Sequence, residues 1–148
     1  MKVRVGFICI GNSCRSQMAE GFANKNGKEF FKVYSAGTHP AYTVSPDAVE
    51  VMKEKGIDIS IQYPKSLEEI PGELDLLITM GCGVECPYLP AAYREDWGIE
   101  DPVGLPLTEF RRIRDIIEKK VMELVEIAGD SANKEVFLEK LIARSSKD

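Results

Sequence analysis

The stretch that decides the fold is KVRVGFICIGNSCRSQMAEG, residues 2–21. Its first part, Lys2 to Ile10, is an apolar run rich in β-branched residues, which is typical of a strand buried on both faces of a parallel sheet. Gly11 and Asn12 then predict a turn, because both residue types tolerate left-handed backbone angles. From Ser16 to Asn24 the apolar side chains recur at helical spacing. The stretch therefore predicts a strand, a turn and a helix in that order.

The rest of the chain continues this alternation of strands and helices. Further strands are predicted at Phe30–Ser35 and Leu74–Met80, with a weaker one at Ala92–Trp97. Further helices are predicted at 45–55, where Ser45 is a candidate N-cap, and at 107–128 and 133–144. We therefore expect an α/β fold, in which crossover helices cover both faces of a parallel sheet. Ligands of such sheets bind at the carboxyl ends of strands, where the turn after Cys9 lies.

Composition and charge exclude several classes of protein. The 148 residues are 44% hydrophobic and 29% charged, which suits one globular domain whose core needs no disulfides. The net charge of −5 argues against a general nucleic-acid binder, and no apolar run is as long as a membrane span. We expect a cytoplasmic monomer without cofactor or bound metal, in which the four cysteines are mostly reduced.

The turn between the first strand and the first helix has the residues of an oxyanion site. Backbone N–H groups at a helix N-terminus can form an anion nest, and Arg15 can hold two oxygens of a tetrahedral anion. Cys9 lies at the base of this nest, where the helix and Arg15 favour the thiolate and Ser16 can donate a hydrogen bond to it. The residues expected to surround the anion are Ile10, Gly11, Asn12, Ser13, Cys14 and Arg15. The alternative is a buried strand cysteine and a solvated arginine. We expect the Cys14 side chain itself to be structural.

Cys9-x-Gly-Asn-x-Cys-Arg-Ser resembles the signature of the low-molecular-weight protein tyrosine phosphatase family. The resemblance implies that the α/β fold is a three-layer sandwich around a four-stranded parallel sheet with flavodoxin-like topology. The longer stretch from Phe7 to Gly21 is more similar to the thioredoxin-coupled arsenate reductase branch of that family. The pairs Trp97-Gly98 and Asp101-Pro102, and the segment 34–37, add to the similarity. It covers roughly Lys2 to Ala128. We therefore expect a phosphotyrosine phosphatase-like domain over residues 1–129 and a C-terminal helical extension of unassigned role over 130–148.

The resemblance implies a thiol relay that reduces arsenate. Cys9 would attack arsenate, a second thiolate would release arsenite by attacking the Cys9 sulfur, and a Cys9–Cys82 disulfide would result. Cys86 would then free Cys9, leaving Cys82–Cys86 for thioredoxin or a similar dithiol. In the family, the aspartate of the Asp-Pro pair is the general acid, which assigns that role to Asp101. The implied catalytic residues are Cys9, Arg15, Ser16, Cys82, Cys86 and Asp101.

Residues that support the loop are also implied by the resemblance. Asn12, Glu20 and Ser35 match positions that contribute to a potassium site in some reductases of the branch. The fourth position is Lys65 here, and its ammonium could replace the cation by hydrogen bonding to Asn12 or Ser35. We therefore expect no potassium dependence. The alternative is that Lys65 is an ordinary surface lysine.

Other functions remain open at the level of sequence. A phosphatase with the same loop would need Cys9 and Arg15 but would tolerate the loss of Cys82 and Cys86. Val103 and Gly104 weigh against a protein phosphatase, because many of these carry tyrosines just after the Asp-Pro pair. A four-cysteine zinc site has unusual spacing here, and a non-catalytic oxyanion-binding or redox-sensing module would not need the full residue set. The arginines on the longest helix, Arg111, Arg112 and Arg114, are predicted to form a solvated face.

Overall fold

The computed structural model describes residues 2–81 and 89–145 of the chain. Within that part, four parallel strands form one sheet in the order β2-β1-β3-β4. The strands are β1 (Val3–Cys9), β2 (Phe31–Gly37), β3 (Leu74–Thr79) and β4 (Ala91–Asp96). Cys9 pairs with Gly37 at the end of the β1–β2 register, which places Cys9 at the carboxyl edge of a central strand.

The helices connect and flank these strands as the sequence predicts. They are α1 (Arg15–Gly27), α2 (Pro46–Lys53), α3 (Leu107–Gly129) and α4 (Lys134–Ser145), with a short 3-10 turn at Leu67–Glu69. The expected α/β fold around a four-stranded parallel sheet is confirmed, and Ser45 caps α2 by accepting from the N–H of Ala48. No helix in the described residues is long and apolar enough to cross a membrane.

Two apolar clusters lie on the two faces of the sheet. The larger one contains Val3, Val5 and Phe7 of β1 together with buried side chains from all four helices. The six positions of α3 that recur at helical spacing are all buried: Phe110, Ile113, Ile117, Val121, Leu124 and Ala128. The smaller cluster contains Ile8 of β1, with Ala36, Ile70, Leu74 and Leu77. β1 is therefore covered on both faces, which explains its nearly continuous apolar sequence.

Helix α4 packs against the larger cluster. Phe137 and Leu141 are fully buried, and the Phe137 ring lies 5.8 Å from the Phe31 ring of β2. At its two ends, α4 is tied by Lys134 to Asp75 at 3.2 Å and by Arg144 to Glu95 at 3.2 Å. Whether α4 can be separated from residues 1–129 as an extension remains a prediction.

The prediction that the arginines of α3 form a solvated face is wrong for Arg114. Its side chain is 8% exposed and donates to the carbonyl of Val51 at 2.9 Å and to Glu54 at 2.6 Å. Because Val51 and Glu54 lie at the end of α2, Arg114 faces the neighbouring helix rather than water. Arg111 also pairs with Glu54, at 2.9 Å, but remains 41% exposed.

Candidate active site

The loop between β1 and α1 is held along its whole length by the segment that follows β2. The N–H groups of Thr38, His39 and Ala41 donate to the carbonyls of Cys9, Ile10 and Gly11 at 3.2, 2.8 and 2.9 Å. Ser45 N–H likewise donates to the carbonyl of Ser13 at 2.9 Å. Since these carbonyls are bonded on the outer side of the loop, the adjacent N–H groups are available for an anion on the inner side.

Gly37 allows this close approach of β2 to the loop. A Cβ atom at Gly37 would lie 2.5 Å from the carbonyl oxygen of Ile10 and 2.9 Å from the backbone nitrogen of Asn12. Both neighbours are backbone atoms, so neither can move aside as a flexible side chain would. The backbone conformation of the loop therefore depends on a residue without a side chain at this position.

Ser16, which was predicted to contact the sulfur of Cys9, and Asn12, which was not, both lie against it. Ser16 Oγ lies 2.8 Å from Cys9 Sγ, and the backbone N–H of Asn12 donates to Cys9 Sγ at 3.1 Å. Asn12 has a φ of 50°, the left-handed conformation that its sequence position predicts, and is fully buried. Its Nδ2 donates to Ser16 Oγ at 2.7 Å, which links the three side chains in one network. Hydrogen bonds donated to sulfur favour a thiolate.

Arg15 is anchored more firmly than the sequence suggests. Its Nη1 donates to the carbonyls of Met80 and Ile99, both at 2.7 Å, and the residue is 4% exposed. Its Nη2 lies 3.7 Å from Oδ2 of Asp101. Because Nη1 is occupied by backbone carbonyls, Nη2 and Nε are the atoms left to hold an anion. The two carbonyls fix the plane of the guanidinium group before any ligand arrives.

Asp101 is the carboxylate that the structure brings to Arg15. Its side chain is 47% exposed, and its Oδ1 accepts the N–H of Val103 at 3.1 Å. The two neighbouring acids are bonded elsewhere: Asp96 Oδ1 accepts from Thr79 Oγ1 and the N–H of Gly81, whereas Glu100 pairs with Arg112. The geometry therefore favours Asp101 over Asp96 and Glu100 as the acid beside Arg15.

Cys14 lies in the same loop but in a different environment from Cys9. It is buried, and this burial raises the pKa of its thiol, although hydrogen bonds with Ser13 and Ser45 act in the opposite direction. A thiol with a raised pKa stays protonated near neutral pH, and only the thiolate is a good nucleophile. The structure thus favours a structural role for the Cys14 side chain.

The loop-supporting residues meet beneath the loop, but Lys65 makes other contacts than predicted. Ser35 Oγ donates to Glu20, and Lys65 Nζ lies 3.8 Å from the same Glu20 oxygen. The ammonium also donates to the carbonyl of Tyr63 at 2.8 Å, so the expected bonds to Asn12 or Ser35 are wrong for the ammonium. It is the backbone N–H of Lys65 that reaches Asn12 Oδ1, at 2.8 Å. The lysine side chain is only 14% exposed, which contradicts an ordinary surface position.

Gln17 is the residue of this site that the sequence leaves without a role. It is fully buried and its Nε2 donates to Asn12 and to the carbonyl of Tyr63. The available signal is an amide side chain next to Met18 and Ala19, which are apolar and buried. A polar group in such a place must be hydrogen-bonded, and the loop is the nearest structure that can satisfy it.

Cys82 and Cys86, the two remaining predicted catalytic residues, lie outside the described residues. Met80 lies two residues before Cys82 in the sequence. The N–H of Met80 donates to the carbonyl of Ile8, the residue before Cys9, at 2.9 Å. In residues 2–81 and 89–145, no group of three or more His, Cys, Asp or Glu side chains could hold a metal ion.

Comparison with known proteins agrees with this geometry. A family model described as low molecular weight phosphotyrosine protein phosphatase matches residues 4–136. "Arsenate reductase 2" of Staphylococcus epidermidis is 44% identical over 124 residues, which are 81% of this chain and 94% of that protein.

Solved structures are similar over the same part of the chain. An arsenate reductase in the phosphate-binding state is 41% identical with a TM-score of 0.76, and the alignment covers 85% of this chain and 98% of that one. The thioredoxin-dependent arsenate reductase of Corynebacterium glutamicum is 31% identical with a TM-score of 0.70, over 86% of this chain and 62% of that one. This chain therefore belongs to the low molecular weight phosphotyrosine protein phosphatase family, and within it to the group that contains these arsenate reductases.

Proposed function

We propose that this protein reduces arsenate to arsenite with its own thiols and is regenerated by thioredoxin or a similar dithiol. The observation that carries the proposal is the sulfur of Cys9, held by Ser16 and Asn12 at the base of a loop that Arg15 closes. The similarity to arsenate reductases over more than four fifths of the chain supports this choice among oxyanion reactions.

The first step joins Cys9 to arsenic. The Cys9 thiolate attacks arsenate, a sulfur–arsenic bond forms, and one arsenate oxygen departs. Asp101, next to Arg15, is the acid that protonates this oxygen so that it leaves as water. The N–H groups of the loop and the remaining nitrogens of Arg15 stabilise the negative charge on the other oxygens.

The second step needs a second thiol, because the reduction of arsenic consumes two electrons. A thiolate attacks the Cys9 sulfur, the sulfur–arsenic bond breaks, and its electron pair stays on arsenic, which leaves as arsenite. Cys82 and Cys86 supply this thiol and the next one. The reductant then reduces the disulfide that remains between them. Their place in the chain supports the proposal, because the backbone leaves β3 at Met80 beside the end of β1.

Beneath the loop, the Lys65 ammonium beside Glu20 supplies the positive charge that a potassium ion supplies in some relatives of this branch. We therefore propose that activity does not depend on potassium.

The test is arsenite production from arsenate with thioredoxin, thioredoxin reductase and NADPH. The wild type should turn over many times, whereas Cys9→Ser should form no arsenite and Cys82→Ser and Cys86→Ser should lose repeated turnover. Repeated turnover in both of the latter variants would show that the relay does not pass through these two thiols.

The family match favours one second candidate, a phosphatase that forms a cysteinyl-phosphate on Cys9. If this activity is present, Asp101→Asn should lower kcat for an aryl phosphate with a poor leaving group by about 10²- to 10⁴-fold. It should lower kcat much less for a good leaving group, which departs without a proton. An equal loss of kcat for both substrates would show that Asp101 is not the general acid. Hydrolysis that survives Cys82→Ser, together with absence of arsenite, would establish the phosphatase instead.

A further inference from the structure

The buried amide of Gln17 stands at the start of a chain of hydrogen bonds that ends on Cys9. Its Nε2 lies 2.9 Å from the carbonyl oxygen of Asn12, 3.0 Å from Asn12 Oδ1 and 2.9 Å from the carbonyl oxygen of Tyr63. Its Oε1 accepts from Nε2 of Gln62 at 2.7 Å. Both ends of the Gln17 amide are therefore used, as its complete burial requires.

These contacts fix the orientation of two amide groups. The backbone carbonyls of Asn12 and Tyr63 can only accept, so the nitrogen of Gln17 must face them. Asn12 Oδ1 then accepts hydrogen bonds from this Gln17 nitrogen and from the backbone N–H of Lys65, the latter at 2.8 Å. Because a backbone N–H can only donate, the oxygen of the Asn12 amide must lie on this side and its nitrogen on the other.

The orientation of Asn12 determines the direction of the bond to sulfur. Asn12 Nδ2 faces Ser16 Oγ at 2.7 Å, so the Ser16 hydroxyl accepts there. Its single proton is then left for Cys9 Sγ, 2.8 Å away. Reversal of the Asn12 amide would make Ser16 donate to Asn12 instead, and the Cys9 sulfur would lose a donor. A hydrogen bond donated to a thiolate favours the charged, nucleophilic form.

We propose that Gln17 is a positioning residue for the Cys9 nucleophile, which it serves by fixing, together with the backbone N–H of Lys65, the direction of the chain Gln17–Asn12–Ser16–Cys9. The Gln17 side chain itself makes no hydrogen bond to the Cys9 sulfur. The inference rests on the role of Cys9 as nucleophile in the proposed function, but it does not depend on which oxyanion is the substrate.

The test is the pH profile of Cys9 alkylation by iodoacetamide in the full chain, with Cys9 and Cys14 distinguished by tandem mass spectrometry. Gln17→Met removes the donor at similar length. Its alkylation midpoint should move upward by about one pH unit, so that the rate well below the midpoint falls roughly tenfold. This readout needs neither arsenate nor phosphatase activity, so it can fail independently of the proposed function.

Asn26→Ala is the matched control, because Asn26 also lies on α1 and donates from its side-chain amide to a carbonyl, that of Phe22 at 3.1 Å. It should leave the midpoint unchanged. The charged and titratable groups near Cys9, namely Arg15, Asp101 and Cys14, are retained in both variants. A purely structural role of Gln17 would lower Tm without moving the midpoint, and that result would overturn the proposal.

Two further variants keep the proposal testable. In a Ser16→Ala background, Gln17→Met should no longer shift the midpoint, because the chain reaches the sulfur through Ser16. A shift that persists there would contradict the proposed route. If Gln17→Met does not fold, Gln62→Ala, at a partly exposed residue, removes the donor to Gln17 Oε1 together with the bond from the same Nε2 to the Gln17 carbonyl. It should give a smaller upward shift, and an unchanged midpoint would then overturn the proposal.

Discussion

At the scale of single residues, Gly37 and Asn12 give the loop between β1 and α1 its shape. Asn12 adopts φ 50° and bonds the Cys9 sulfur through its backbone, while Gly37 lets β2 lie directly against the loop. Both residues act on the backbone of the loop before any ligand is bound. A change at either position should therefore affect anion binding as well as stability.

Gly37→Ala tests this dependence. Its Cβ would meet backbone atoms of Ile10 and Asn12 at 2.5 and 2.9 Å, so the loop must shift. We expect a loss of about 1–3 kcal/mol in the free energy of unfolding, as for other overpacked sites, together with weaker binding of inorganic phosphate. Thermal unfolding and calorimetric titration measure the two effects.

Gly72→Ala is the control for Gly37→Ala, because no atom lies within 4 Å of the Cβ it would add. It should leave phosphate binding unchanged. If Gly37→Ala binds phosphate as tightly as the wild type, the close approach of β2 does not shape the loop.

Most residues of the site could be predicted because they are neighbours in the sequence. Cys9, Arg15 and Ser16 lie within one strand–turn–helix unit, whose local geometry brings them together. Gln17 and the contacts of Lys65 could not be predicted in the same way. Gln17 contacts the carbonyl of Tyr63, 46 residues further along the chain, and Lys65, in the same segment as Tyr63, contacts Asn12 and Glu20. Only the folded backbone brings this segment to the loop.

At the scale of elements, a charged cluster joins α2 to α3. Glu54, at the end of α2, accepts from Arg111 and Arg114 of α3, and these hydrogen bonds lower the pKa of its carboxyl to about 2, with that from Arg111 the larger cause. Lys55 adds pairs with Asp115 and Glu118. The contact between the two helices is therefore partly ionic.

Glu54→Gln should destabilise the protein in a pH-dependent way. A carboxyl whose pKa is lowered by folding stabilises the folded state above its unfolded pKa, about 4.3, and this contribution is lost as pH falls towards 2. The Tm difference between wild type and Glu54→Gln should thus be constant above about pH 5 and shrink below it. Circular dichroism melts across this range measure the difference.

Glu68→Gln, an exposed glutamate outside this cluster, is the control and should change Tm little at any pH. A Tm difference for Glu54→Gln that stays the same between pH 7 and pH 3 would contradict an ionic contribution from Glu54.

The elements were predictable where periodicity is strong. The spacing in α3 identified its buried face, but not that Arg114 would be buried beside α2, since this depends on how the two helices pack. β4 was only weakly predicted because it is an edge strand whose residues alternate between partly buried and exposed. Such a pattern lacks the continuous apolar run that marks β1 and β3.

At the scale of the whole molecule, α4 shares the larger core although the solved relatives match only about 85% of this chain. Phe137→Ala should therefore lower the free energy of unfolding by about 3–5 kcal/mol, the usual cost of removing a buried phenylalanine. Chemical denaturation should show a single transition, displaced as a whole.

Ile142→Ala, at a 49% exposed position on the same helix, should cost about 0.5 kcal/mol or less. If Phe137→Ala instead produces a separate early transition and leaves the main one unchanged, then α4 folds independently and is an extension in the strict sense.

The topology explains why the residues of the proposed site meet at one edge of the sheet. Cys9 is the last residue of β1, Met80 follows β3, and Asp101 lies in the loop after β4, all at the carboxyl ends of adjacent parallel strands. Arg15 connects them, because its guanidinium bonds the backbone after β3 and the backbone before Asp101. The parallel sheet could be expected from the alternation of elements, whereas these cross-connections required the structure.

The central claim is that electrons for arsenate reduction come from the thiols of this chain, beginning with Cys9. The most direct test is arsenite formation by the fully reduced protein in the absence of any reductant. We predict about one arsenite per chain, with the loss of two thiols, because two electrons leave as one disulfide forms. Cys9→Ser should give none. A wild type that yields no arsenite, or a Cys9→Ser variant that yields as much as the wild type, would contradict the account.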